Sequence, residues 1–250
     1  MVEVRYGIKN TVSKKHVSLP KSEIERVEKN PRKARKVSRK KGGKKNSKVV
    51  EFTPKKMELK KGGYELIITE KPQAASKIAT SLGDATQRME NKVPYYEVNR
   101  NGKKIVVACA VGHLFTLKQN VPGSHVPIFD VSWVPNYLAI KKDFTKRYYD
   151  TLLKLAKGAG KIIVATDYDH EGEVIGLNVV RFICGQKDAQ RMKFSTLTKD
   201  ELNSAYENMK PTLDWGQATA GETRHYLDWF YGINLSRALM NSIKTTGKFK

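Results

Sequence analysis

The chain has 250 residues, 39% of them hydrophobic, which is enough for one large domain or two small ones with a buried core and too much for a wholly disordered chain. A formal charge of +22 favours a polyanionic partner such as nucleic acid over a small neutral substrate. The longest apolar runs, such as residues 66–68, 105–111 and 162–165, fall far short of the roughly 20 residues of a membrane helix, and Met1-Val2-Glu3-Val4-Arg5 lacks the apolar stretch of a secretory signal, so a soluble, cytoplasmic protein with no membrane partner is expected.

Charge is concentrated at the front. Residues 1–62 hold 21 Lys/Arg against 6 Asp/Glu, a net +15, leaving 26 against 19, or +7, for residues 63–250. Residues 31–48 contain ten basic side chains, no acidic ones and too little apolar material to offset the cost of ordering. They read as a flexible basic arm that neutralises phosphates without regard to base sequence; a solubilising tail or localisation tag is the alternative.

From Gly63 the pattern changes to short apolar strands alternating with amphipathic helices, the rhythm of an α/β fold built on a mainly parallel sheet. Residues 64–68 are predicted as the first strand and 74–82 as the helix after it, with Gly83 as its C-terminal stop. A second strand is predicted over 104–110, a helix over 144–156, a third, fully apolar strand over 161–165, and a helix over 173–184. After about Arg191 strands give way to helices over 200–209 and 216–244, with Leu227, Phe230, Tyr231, Ile233, Leu235, Leu239 and Ile243 supplying apolar faces. Three segments follow: a basic extension over 1–62, an α/β domain over 63–190 and the beginning of a helical domain over 191–250. Cys109 and Cys184 stand 75 positions apart with no metal-type cysteine spacing, and are expected as small buried residues.

The strongest feature is Thr166-Asp167-Tyr168-Asp169-His170-Glu171-Gly172-Glu173, directly after the third strand. In extended backbone Asp167 and Asp169 share a face, and Glu171 joins them as the chain turns. Three carboxylates that close raise one another's pKa unless a cation lies between them, and hard oxygen ligands of this kind suit Mg²⁺ bridging to a phosphate. An EF-hand loop shares the opening pattern, but its twelfth position is Asn178 and a strand leads into it; a merely solvated acidic turn is the other alternative. Glu70, in Thr69-Glu70-Lys71-Pro72, ends the first strand at the same sheet edge, where open parallel sheets bind ligands. Lys71 is a compact cation suited to a scissile phosphate, or a plain surface lysine.

An acid after one strand and Asp-x-Asp-x-Glu-Gly-Glu after a later one resemble the Toprim domain of topoisomerases, bacterial-type primases and some nucleases. The segments 66–72, Val111-Gly112-His113-Leu114 and 165–176 resemble, in order, the opening of type IA DNA topoisomerases, above all archaeal and topoisomerase III-like ones. Phe194-Ser195-Thr196-Leu197-Thr198 and Ala220-Gly221-Glu222-Thr223-Arg224-His225-Tyr226-Leu227-Asp228 resemble that family's passage into its helical DNA-binding domain. Tyr168 and His170 stand where the family more often has proline and arginine.

The resemblance implies a Toprim-type Rossmann-like sheet and an ATP-independent enzyme that breaks, passes and rejoins single DNA strands. By the same resemblance Glu70 assists proton transfer and, with Asp167, Asp169 and Glu171, holds Mg²⁺; Lys71 holds the scissile phosphate; Arg224 and Asp228 lie near the DNA backbone and active site; His113 lines the cleft or serves in packing. The partner implied is a single-stranded segment of negatively supercoiled DNA in the nucleoid. The family's nucleophile is a tyrosine of a later domain, and none of the eleven tyrosines here stands in such a context. The chain alone is therefore expected to be inactive in relaxation and to need a C-terminal part, such as a separate chain docking on exposed Leu235, Leu239 and Ile243. Another Toprim enzyme (a primase or nuclease) and a noncatalytic DNA-binding remnant are the alternatives; residues 194–236 favour the topoisomerase.

Overall fold

A computed structural model describes residues 52–54, 56–140 and 143–243; the basic arm expected over 31–48 and the residues from 244 onward lie outside them. Phe52, Met57 and Leu59 pack partly buried against the core, ahead of the Gly63 boundary read from the sequence. Strand β1 (Tyr64–Thr69) buries its last four side chains completely. Helix α1 (Pro72–Leu82) follows, with Pro72 in its first turn, where a missing N–H leaves no bond unmade, and with Ala74, Ala75, Ile78, Ala79 and Leu82 on its buried face. Gly83 does end α1, but not through a left-handed cap. Its backbone is extended (φ 164°), and a Cβ there would lie 3.1 Å from the Asn99 carbonyl oxygen and 3.2 Å from Val98 Cγ1, so the residue is small to let a neighbouring strand approach.

That strand belongs to an antiparallel meander of β2 (Asp84–Glu90), β3 (Val93–Arg100) and β4 (Lys103–Cys109), of which the sequence reading has only β4, as the strand over 104–110. Its two-residue turns, Asn91-Lys92 and Asn101-Gly102, have positive φ at both positions, as the twist of a tight hairpin requires. Strands β5 (Phe115–Gln119) and β6 (Val131–Pro135) pair in a separate small sheet, followed by helices α2 (Asn136–Ala139) and α3 (Thr145–Ala156). Then come β7 (Ala159–Val164), α4 (His170–Phe182), the short β8 (Gln190–Arg191), α5 (Lys199–Glu207) and the 28-residue α6 (Trp215–Ser242).

The main sheet has the order β2-β3-β4-β1-β7-β8. Strands β4, β1, β7 and β8 are parallel, with Ile67 opposite both Val107 and Ile163, and β2 and β3 extend the sheet antiparallel at one edge. The architecture is therefore the expected α/β one, a mostly parallel sheet between helices with a helical C-terminal segment. Leu66, Ile67 and Ile68 on the middle strand are wholly buried, which is why this run reads as continuously apolar.

The first half of α6 packs on α4 through Ala218 and Gly221, where a Cβ on Gly221 would stand 2.6 Å from both the His170 carbonyl oxygen and Val174 Cγ2. Leu227, Tyr231, Leu235 and Leu239, and Ile243 beyond the helix, recur every fourth residue and are all exposed, so this apolar stripe is not core in the described chain. No helix among the described residues is long and apolar enough to cross a membrane.

Candidate metal and DNA site

Two neighbouring parallel strands, β1 and β7, deliver the first pair of acids to one sheet edge. Glu70 and Lys71 follow β1 directly. The Ala110 amide donates to the Thr69 carbonyl (2.8 Å) and the Gly112 amide to the Glu70 carbonyl (3.2 Å), so the segment after β4 is latched to the same edge. Asp167 follows β7. Lys71 Nζ lies 2.5 Å from Asp167 Oδ2 and 3.8 Å from Glu70 Oε1, bridging the two strand ends. Burial first, and then the Asp167 charge, push the Glu70 carboxyl above its ordinary value; Asp169 adds to the rise and Lys71 only partly opposes it. Lys71 is in turn held more basic than a free lysine by its hydrogen bond to Asp167 and by the charge of Glu70.

Asp169 and Glu171 are turned to other tasks. Asp169 has extended backbone (φ −145°) and caps α4, its Oδ1 accepting from the Gly172 amide at 2.7 Å. Because the helix begins at His170, the side-chain repeat changes from two to 3.6 residues and Glu171 rotates off the Asp167 face. Glu171 Oε2 lies 3.0 Å from His113 Nε2 and 2.9 Å from His225 Nε2, and its Oε1 lies 3.5 Å from Arg224. The expected four-acid convergence is thus divided between Glu70 with the two aspartates and Glu171 with two imidazoles. Among the described residues the only three metal-ligating side chains whose donor atoms all lie within 4.8 Å of one another are His113, Glu171 and His225. Burial by itself raises the Glu171 carboxyl, but hydrogen bonds and charge from His225 and His113 outweigh it and hold the group below the usual carboxylate value. Burial, and then the His225 charge, lower the pKa of His113.

Two features position these groups in ways that the sequence motifs do not reveal. Arg191 and Glu173 are fully buried and joined at 2.8 Å. Arg191 also donates to the carbonyls of Val164, Thr166, Asp167 and Met192 at 2.8–3.3 Å, and Glu173 Oε1 accepts from the Asp214 amide at 2.7 Å, so one ion pair ties the Asp167 loop to β7, β8 and the start of α6. Gly172 and Gly176 complete the frame, since a Cβ would collide with the Asp167 carbonyl oxygen at one and with Val164 Cγ1 at the other. The second feature is Val111, a β-branched residue with φ 58°, followed by Gly112 with φ 81°. This conformation costs on the order of 1–3 kcal/mol, and it swings His113 toward Glu171.

His225, beside the expected Arg224, was missed because only the packing of α6 on α4 brings it to Glu171. Arg224 and Asp228 lie one turn apart on the exposed side of α6, with Arg224 Nε 3.6 Å from Asp228 Oδ2. A cavity of about 440 Å³ opens beside Lys71 and Asp167 and is lined also by Tyr168, Phe194 and Leu197. Lys193 Nζ sits 4.2 Å from the centre of the Tyr168 ring. Cys109 and Cys184 are buried, as expected, with burial pushing their thiols up to about 11 and about 12.

Residues 65–197, more than half of the chain, match the family model described as the Toprim domain. The chain belongs to the Toprim family. This Toprim chain is 50% identical over 187 residues to a protein named DNA topoisomerase 1 from Methanocaldococcus jannaschii, covering 74% of the chain and 24% of the relative. It is likewise 50% identical over 192 residues to the DNA topoisomerase 1 of Pyrococcus horikoshii, covering 74% and 28%. The Toprim chain therefore spans about a quarter of the length of the curated relatives it matches. Among solved structures, full-length topoisomerase I from Thermotoga maritima superposes with a TM-score of 0.45 at 22% identity, over 65% of this chain and 24% of that one, too distant to add to the sequence relationship.

Proposed function

We propose that this chain is the Toprim part of a type IA DNA topoisomerase, acting without ATP to break, pass and rejoin single DNA strands with a divalent ion of the Mg²⁺ type. The observation that carries the reading is the apposition of Glu70, at the end of β1, with Asp167, at the end of β7, through Lys71. Glu70 and Asp167 meet there on Lys71, with Asp169 near enough for its charge to act on Glu70, and that surplus of negative charge fits a hard divalent ion. Glu70, Asp167 and Asp169 would hold the ion; Glu171 would join them from α4 only on leaving His113 and His225. When bound, the ion would neutralise charge on the phosphate undergoing transfer.

The other side chains have separate tasks. Glu70, raised above the ordinary carboxylate range, is suited to hold a proton and pass it to the oxygen that leaves or attacks phosphorus. Lys71 contacts the scissile phosphate by releasing Asp167, and the exposed Arg224 contacts a neighbouring phosphate. Tyr168 and Phe194, in the cavity beside Lys71, offer rings on which unpaired bases stack, which favours a single-stranded segment over a duplex. The tyrosine nucleophile comes from sequence outside this region, on a C-terminal part that covers the apolar stripe of α6.

Mixing this chain with the C-terminal three quarters of the Methanocaldococcus jannaschii relative and assaying negatively supercoiled plasmid in Mg²⁺ tests the reading. Relaxation is expected only in the mixture, and Asp167→Asn with Asp169→Asn should abolish it while leaving strand binding intact. Nicking of the plasmid by this chain alone would instead indicate a Toprim nuclease.

A further inference from the structure

The two imidazoles on Glu171 are unlike the hard acids at the strand ends. We propose that His113, Glu171 and His225 form a second cation site, selective for a transition-metal ion of the Zn²⁺ class. Donor atoms bonded to one ion at roughly 2.1 Å stand roughly 3.0 Å apart in an octahedral face and roughly 3.4 Å apart in a tetrahedral one. The Glu171 Oε2 separations from His113 Nε2 and His225 Nε2, 3.0 and 2.9 Å, match that spacing, and all three donor atoms fall within 4.8 Å of one another. To bind an ion each Nε2 presents its lone pair, with the ring proton on Nδ1.

Three elements fix the triad. His113 follows the strained Val111-Gly112 turn, and its carbonyl accepts from Asn136 Nδ2 at 2.7 Å. Glu171 lies in the first turn of α4, and His225 is held on α6 with its ring 5.4 Å from that of Trp133. Arg224 engages the other oxygen of Glu171, leaving Oε2 to the imidazoles. A cavity of about 400 Å³ bordered by His113, His225 and Asp228 gives solvent access for the remaining coordination positions. Imidazole ligands favour Zn²⁺, Ni²⁺ or Cu²⁺ over Mg²⁺, so the two sites select different ions. An ion here ties Glu171 to α6 and withdraws it from the acids at the strand ends.

The proposal does not depend on the topoisomerase reading, because binding is measured without DNA. Calorimetric titration of the full chain with Zn²⁺ in excess Mg²⁺ should show one ion per chain. His113→Ala and His225→Ala should each weaken it by at least roughly tenfold, while Glu70→Gln and His170→Ala should leave it unchanged. Side-chain ¹⁵N spectra of the unsubstituted protein give a readout that needs no variant: Zn²⁺ should shift the Nε2 signals of His113 and His225 and spare those of His125 and His170. Unaltered affinity in His225→Ala, unmoved Nε2 signals, or loss of Zn²⁺ binding in Glu70→Gln would each overturn the site.

Discussion

Each donor nitrogen of Arg191 is engaged inside the protein, Nε with Glu173 and the two terminal nitrogens with backbone carbonyls that include those of Thr166 and Asp167. Removing the guanidinium leaves Glu173 as an uncompensated buried charge. Arg191→Met should therefore cost on the order of 3–5 kcal/mol in guanidinium unfolding, and Arg191→Met with Glu173→Gln should recover part of that loss. Equal stability of the single and double variants would mean that Glu173 was never charged. Glu70 has the opposite sign. An acid whose folded pKa lies above its unfolded one is stabilised by protonation, so the folded state gains as pH falls through the folded value and loses above it. Without divalent ions, Glu70→Gln should accordingly melt higher than the natural chain at neutral pH, and the gap should close as the solution is acidified. A natural chain that melts as high as the variant at neutral pH would show that Glu70 is not strained. The Glu70 charge, partly buried beside Asp167, is a stability cost to the folded chain.

Helix α6 contains two glycines that separate packing from propensity. A Cβ on Gly221 would stand 2.6 Å from the His170 carbonyl oxygen, whereas one on Gly232 meets nothing within 4 Å. Helical glycine to alanine is normally worth roughly 0.5–1 kcal/mol in favour of alanine. Gly232→Ala should gain about that much in urea unfolding, while Gly221→Ala should lose stability by forcing α6 off α4 and should also displace His225 from Glu171. A gain at both positions would mean that the interhelix contact gives way freely. The same contact marks what was legible in the sequence. Strands β1, β4 and β7 were readable because burial on both faces demands unbroken apolar runs. The hairpin of β2 and β3 was not, because the outer strand Asp84–Glu90 is mostly exposed and carries polar side chains, and its turns lack the Asn-Gly signal at Asn91-Lys92. Glu70 and Asp167 were legible as strand ends. The Glu171 partnership with His225 was hidden by a sequence separation of 54 residues, since only the docking of α6 on α4 creates it.

At the scale of the whole molecule the charge is divided between the described body and the segment ahead of it. Residues 1–48 hold 17 Lys/Arg and 4 Asp/Glu, a net +13 of the total +22, so a chain starting at Val49 carries +9. That cut keeps Phe52, Met57 and Leu59, which pack against the core, and so leaves the described fold intact. If the front segment binds phosphates, it releases counterions, and the slope of log K against log salt should be shallower without it by roughly 0.7 for every single-strand phosphate it contacts. Five contacts from seventeen basic residues would flatten the slope by roughly 3–4 and weaken binding at low salt far more than at high salt. Residues near the acids contribute differently: Arg224→Ala should flatten the slope by about one such increment, if it holds one phosphate. Fluorescence anisotropy with an unpaired oligonucleotide across a salt series measures both variants against the full chain. Identical slopes for the full chain and the Val49 chain would assign the whole electrostatic footprint to the Toprim body and leave the basic segment with a task other than holding DNA.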